Sequence, residues 1–168
     1  MTTKFTEIAG KGIIPDPHTG WTSPVTMKGF IDLGLAIGEA CRILGAYMQV
    51  KLGTEMITVG FCQCIFGLSF DPQEVSGPAI ADNEVFALLD SSIHQEATGA
   101  GGSMQRVVQR YYDFTTLNLI TTRNIGLIAT GESERIAVTP EILIMAKVYY
   151  ERYTPSANDL NMLIATRR

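Results

Sequence analysis

Residues 55–70, EMITVGFCQCIFGLSF, are apolar in both of their alternating sets. Met56, Cys62, Cys64, Phe66, Leu68 and Phe70 form one set, and Ile57, Val59, Phe61 and Ile65 form the other. The β-branched and aromatic content predicts a strand. Successive strand residues point to opposite faces, so a strand apolar in both sets must be covered on both sides. The cover is either a second layer of the same fold or a neighbouring subunit. The Asp71-Pro72 step ends the run, because proline has no N–H to give a ladder and Asp-Pro favours a turn.

The rest of the chain repeats this texture. EILIMAKVYYERY, residues 141–153, lies between Pro140 and Pro155 and is the clearest strand. Residues 85–94 predict another, with Val85, Ala87, Leu89 and Ile93 on one face and Asp90, Ser92 and His94 on the other. Residues 107–114 predict a strand carrying Tyr111 and Tyr112. Residues 115–130 predict either one long bulged strand or two strands joined by a short turn at Thr121, Thr122, Arg123 and Asn124. ATGAGGS, 97–103, reads as a flexible loop and GESE, 131–134, as a turn.

Residues 25–50 fit two periods. Phe30, Leu33, Ile37, Cys41, Leu44 and Met48 form a helical stripe, whereas Ile31, Leu33, Leu35 and Ile37 alternate with Asp32, Gly34, Ala36 and Gly38. Gly29, Gly34, Gly38 and Gly45 would each penalise a helix interior by up to about 1 kcal/mol relative to alanine, and the expectation is two strands. Ser156 with Asp159 resembles a capping box, leading into a short C-terminal helix with Leu160, Leu163 and Ile164 inward.

The sum is seven or eight strands joined by turn residues: an all-β chain, a single β-sandwich or barrel. Pro15, Pro17, Gly20 and Pro24 surround the lone Trp21, so residues 1–23 read as an extended N-terminal arm and 24–168 as the sandwich domain. At 168 residues a domain needs no disulfide or metal to fold. Charged residues make up 18% of the chain, below the usual quarter, which suits a protein that hides surface in an oligomer.

The net charge of −4 offers no general field for nucleic acid, and only Arg167 and Arg168 cluster positive charge. Cys41, Cys62 and Cys64 are odd in number and read as buried thiols in a reducing compartment. C-x-C without a second pair or a nearby histidine does not make a zinc site. The N-terminus lacks a signal pattern, and residues 30–50, the most apolar stretch, are interrupted by Asp32, Glu39 and Arg42.

Candidate chemistry fails on particular missing residues. His18 and His94 are isolated from each other and from metal-spaced partners. His94 near Ser91 and Ser92 lacks the G-x-S-x-G elbow of a nucleophile. TGAGGSMQR has neither the lysine of a P-loop nor G-x-G-x-x-G. Glu132 with Glu134, and Asp82 with Glu84, flank turns without facing one another across an evident cleft. No catalytic, cofactor-binding or metal residue is expected. Tyr111, Tyr112, Tyr149, Tyr150 and Tyr153 could build a platform for sugar or single-stranded nucleic acid, although strand tyrosines more often mark a core edge or a subunit interface.

Residues 117–160, LNLITTRNIGLIATGESERIAVTPEILIMAKVYYERYTPSANDL, combine a strand with a threonine-arginine break, a glycine-led turn, a long strand and a short final helix. This layout resembles the closing strands of single-jelly-roll capsid (coat) proteins of tailless microbial viruses, over the C-terminal third only. The resemblance implies a jelly-roll-like sandwich. It further implies a non-catalytic, self-assembling virion subunit whose partners are copies of itself and other virion proteins, assembled in the host cytoplasm. Two other readings of the same texture are a tube-forming β-barrel of a phage tail or contractile injection machine, and a carbohydrate-binding β-sandwich.

Overall fold

The computed structural model describes residues 5–14, 25–56, 60–70, 85–95, 102–134 and 138–159. They form β1 (Phe5–Ile14), β2 (Val25–Ile31), β3 (Ala40–Met56), β4 (Gly60–Ser69), β5 (Val85–Gln95), β6 (Gly102–Asp113), β7 (Leu119–Thr121), β8 (Ile125–Glu134) and β9 (Val138–Tyr153). One sheet has the order β1-β9-β3-β6, with the short β7 paired beyond β6 on β3, and the other has the order β2-β8-β4-β5. Every pairing is antiparallel.

The pairing is nested. β1 runs against β9, β2 against β8, β3 against β6 and β4 against β5. A long antiparallel hairpin rolled into two layers gives this pattern, with β9–β3 and β8–β4 as the new lateral contacts. It is the topology of a jelly roll. β1 lies over β2, and β3 and β6 lie over β5, so the layers face each other as a sandwich.

The core follows from strand alternation. Ile142, Ile144, Ala146, Val148 and Tyr150 of β9 point inward, as do Cys64, Phe66 and Leu68 of β4 and Ile125, Leu127 and Ala129 of β8. Burying each large side chain contributes about 1.5–3 kcal/mol. In β3 the inward set changes phase, from Cys41 and Ile43 to Ala46, Met48, Val50 and Leu52. A register shift between Ile43 and Gly45 inserts Leu44 as a bulge, and this one-residue slip keeps both apolar sets on the core side.

Several expectations need correction. Residues 25–50 do supply two strands, but the alternation across 32–38 is a loop: Gly34 and Gly38 adopt φ of 59° and 83°, a left-handed conformation that strands do not use. Ile37, expected on an apolar face, is fully exposed there. The described residues of 55–70 belong to two strands rather than one, β3 up to Met56 and β4 from Gly60, in different sheets. GESE is no turn; residues 131–134 extend β8, paired through Glu134 with Phe61 of β4. A partner strand overrides weak local turn propensity there. β6 starts at Gly102, inside the expected loop.

Residues 115–130 resolve into β7 and β8. The break is local turn chemistry: the Thr121 hydroxyl accepts from the Arg123 N–H at 3.0 Å and donates to the Arg123 carbonyl at 3.2 Å. Within residues 1–23, Phe5–Ile14 is an edge strand laddered to β9. Ser156 and Asp159 form the expected capping box, ahead of a helical turn at 157–159. Trp21, Leu160, Leu163 and Ile164 lie outside the described residues.

Candidate functional site

The five tyrosines of the sequence reading divide by strand position. Tyr150 is in the core. Tyr112 closes the β5–β6 flank: its hydroxyl donates to the Leu88 carbonyl of the opposite sheet. The Arg110 guanidinium stacks 5.0 Å from the Tyr112 ring centroid, and Arg106 donates to the Ser92 carbonyl. Carbonyls of the β5 edge are thus occupied by side chains of β6, which blunts that edge against further strand pairing. Tyr153 is half-buried at the end of β9, where burial pushes its phenol above the ordinary value.

Tyr111 and Tyr149 come together on the outer face of the first sheet. In register, Lys147, Tyr47 and Tyr111 form one cross-strand row, Met145, Gln49 and Gln109 a second, and Tyr149, Gly45 and Asp113 a third. Tyr111 is 57% exposed. Its ring meets that of Tyr149 edge-on, with centroids 6.1 Å apart. Its hydroxyl lies over Gly45: a Cβ at Gly45 would sit 2.5 Å from Tyr111 Oη and 3.0 Å from Cζ. The missing side chain lets the ring lie across the sheet. In the adjacent rows the Tyr47 hydroxyl donates to Gln109 Oε1.

Asp113 closes the third row. The Thr115 N–H and hydroxyl both donate to its Oδ1, at 2.9 and 2.7 Å, and hold the carboxyl below the ordinary carboxylate range. Tyr47 and Gln109 were not singled out in the sequence, and Gly45 only as a glycine that disfavours a helix. The signal was hidden by the bulge at Leu44, which decides that Gly45 and Tyr47 face outward together.

The other sequence candidates do not assemble. Ser91 turns its side chain into the core, as the register partner of Cys64. His94 and Glu134 pair with opposite sides of Phe61, so their strands lie about 10 Å apart. Cys41 and Cys64 are buried. Among the described residues no three His, Cys, Asp or Glu side chains group as a metal site, and no helix is long and apolar enough to cross a membrane. His18, Asp82, Glu84, Arg167 and Arg168 lie outside the described residues, as does the side chain of Cys62.

No family model matches the chain, and no curated protein does. Among solved structures it is similar to the decameric BFDV capsid protein, with 11% identity over 89% of this chain and 99% of that one, at a TM-score of 0.33. It is similar to the T13 IBDV viral particle, with 7% identity over 94% of this chain and 41% of that one, at a TM-score of 0.35. The infectious bursal disease virus VP2 subviral particle gives 11% identity over 99% and 49%, at 0.24. The chain spans about half the length of the latter two. These neighbours are viral capsid proteins, and at such TM-scores the likenesses carry no argument about this chain.

Proposed function

We propose that this chain is a virion coat subunit that assembles with copies of itself and with other virion proteins. The supporting observation is the nested jelly roll filled by aliphatic and aromatic side chains. Leu33, Ile43, Met48, Phe66, Leu68, Ile125 and Tyr150 are fully buried between the two sheets. Jelly rolls serve as coat subunits, lectins and cupins. A cupin binds its ligand between the sheets, whereas the described core here is occupied by packed side chains, which supports a function carried by the outer surface.

The outside is suited to contact. Phe30, Ile37, Val107, Tyr111 and Leu117 are exposed large hydrophobics, on a chain of only 18% charged residues. In this reading no residue is catalytic and no cofactor is bound. In the same reading the chain makes no nucleic-acid contact beyond what Arg167 and Arg168 could supply, and assembly takes place in the host cytoplasm.

The test is negative-stain microscopy with multi-angle light scattering on the full chain at micromolar concentration. Closed shells, or the discrete oligomers that build them, are expected. Stacked rings or tubes would move the assignment to a tail-tube protein, and a clean monomer would sink it.

A further inference from the structure

We infer that the outer face of the first sheet around Tyr111 is a binding site for a neutral oligosaccharide. The site rests on how Tyr111 is held. An exposed tyrosine ordinarily samples several rotamers and stands off its strand. Here the ring is laid across β3, because Gly45 leaves no Cβ beneath its hydroxyl end, and Tyr149 abuts it edge-on. The hydroxyl end of the ring lies over Gly45, and Tyr111 as a residue remains 57% exposed. A fixed, upward-facing aromatic plane binds a flat apolar surface without first losing rotamer freedom.

The groups beside the ring determine which flat surface fits. Gln109 accepts the Tyr47 hydroxyl through Oε1, which orients its amide N–H groups as donors beside the platform. Gln49 lies between Gln109 and Met145 in the same row. Asp113, on the same face of β6 as Tyr111, supplies a carboxylate kept ionised by Thr115. Amide donors and a carboxylate acceptor around an aromatic plane match a pyranose, whose axial C–H face is apolar and whose rim carries hydroxyls.

Charge argues for a neutral ligand. Lys51, Lys147 and Arg42 on this face are interspersed with Asp113 and Glu151, and Arg42 is the register partner of Glu151. A single-stranded nucleic acid would stack on the same ring, but it needs a basic track along its phosphates. Among the described side chains the face has none, and the chain carries −4 overall.

The experiment is saturation-transfer difference NMR on the full chain with maltotriose, cellotriose, chitotriose and mannotriose at millimolar concentration, and with a ten-residue oligothymidylate. At least one sugar should show transfer, strongest on its ring C–H protons. Tyr111→Ala should weaken that sugar at least about tenfold, the scale of one stacked aromatic ring, while Tyr111→Phe retains it. Far-UV circular dichroism checks that both variants fold, and Tyr111→Phe keeps the comparison available if the alanine variant does not.

Four outcomes would overturn the site: silence from every sugar, unchanged sugar binding by Tyr111→Ala, loss of the sugar in a folded Tyr111→Phe, or binding of oligothymidylate alone. A Tyr111→Ala variant that dissociates an oligomer while no sugar binds would assign the face to a second copy of the chain instead. Sugar binding is read independently of particle assembly, so failure of one leaves the other standing.

Discussion

The hydroxyl of Tyr150 donates to the carbonyl of Leu33 at 3.1 Å, across 117 residues of chain. Leu33 sits in the β2–β3 loop, fully buried. Its main-chain groups have no ladder partner there, and buried peptide groups must be paired. Arg152 Nη2 donates to the same carbonyl at 2.6 Å, and the Leu33 N–H donates to Asn124 Oδ1 at 3.1 Å. Side chains from β9 and from the β7–β8 turn therefore do for this loop what a strand would do for its neighbours.

The two sides of Leu33 should respond unequally. Tyr150→Phe removes one of two donors to a carbonyl that keeps Arg152, and should cost about 1 kcal/mol. Asn124→Ala leaves the Leu33 N–H without its acceptor and should cost about 1–3 kcal/mol. Urea denaturation midpoints at unchanged m-value would test the ranking. A costlier Tyr150→Phe would contradict it.

Ser91 offers the opposite sign. Its hydroxyl is buried with no hydrogen-bond partner. Ser91→Ala removes that desolvated group and should stabilise the fold by about 1 kcal/mol. The midpoint of thermal unfolding should rise by about 2–4 °C, and a fall would show that the hydroxyl is satisfied in solution.

Gly45→Ala should be harmful even though the position lies on a sheet surface. The new Cβ would approach Tyr111 Oη at 2.5 Å and the Tyr112 carbonyl at 2.9 Å. The tyrosine can swing away, but the main chain of the neighbouring strand cannot. An overpacking cost of about 1–3 kcal/mol is expected. In a double-mutant cycle Tyr111→Ala should relieve only part of it, and complete rescue would locate the clash in the ring alone.

Acid should loosen the turn after β9. The Ser156 N–H and hydroxyl donate to Asp159 Oδ2 at 3.1 and 2.7 Å, and both bonds hold its carboxyl below the ordinary value. A depressed carboxyl stabilises the fold above its unfolded pKa, and that contribution is lost as pH falls through the folded value. Loss is therefore expected below about pH 4. Carboxyl carbon titration by NMR should place Asp159 below the same residue in an unfolded peptide, and Asp159→Asn should remove its share of the acid dependence.

Much of this fold could be read from the residues. Runs such as 141–153 and 85–94 carry a period-2 apolar pattern strong enough to declare a strand and its inward face, although Pro140 does not bound β9, which starts at Val138 and runs through it. Ser156 and Asp159 announced a cap because that motif closes within one turn. The reading faltered where partners were remote. GESE looked like a turn until β4 and β2 supplied its ladder, and the arm at 1–23 hid Phe5–Ile14 because its partner lies about 140 residues away.

The platform around Tyr111 was the least legible. Its members come from β3, β6 and β9, and their sharing of one face depends on a single inserted residue at Leu44. Alternation counted straight through that residue would turn Tyr47 to the wrong side.

By itself, then, the amino-acid sequence determined an all-β sandwich and the faces of its longest strands, because side-chain alternation is a local property of extended backbone. The tertiary structure alone decided which strands became neighbours, where β3 slips phase and which tyrosines lie in the core, on the flank or across the outer face. Those choices depend on contacts between residues far apart in the chain, and no local pattern encodes them.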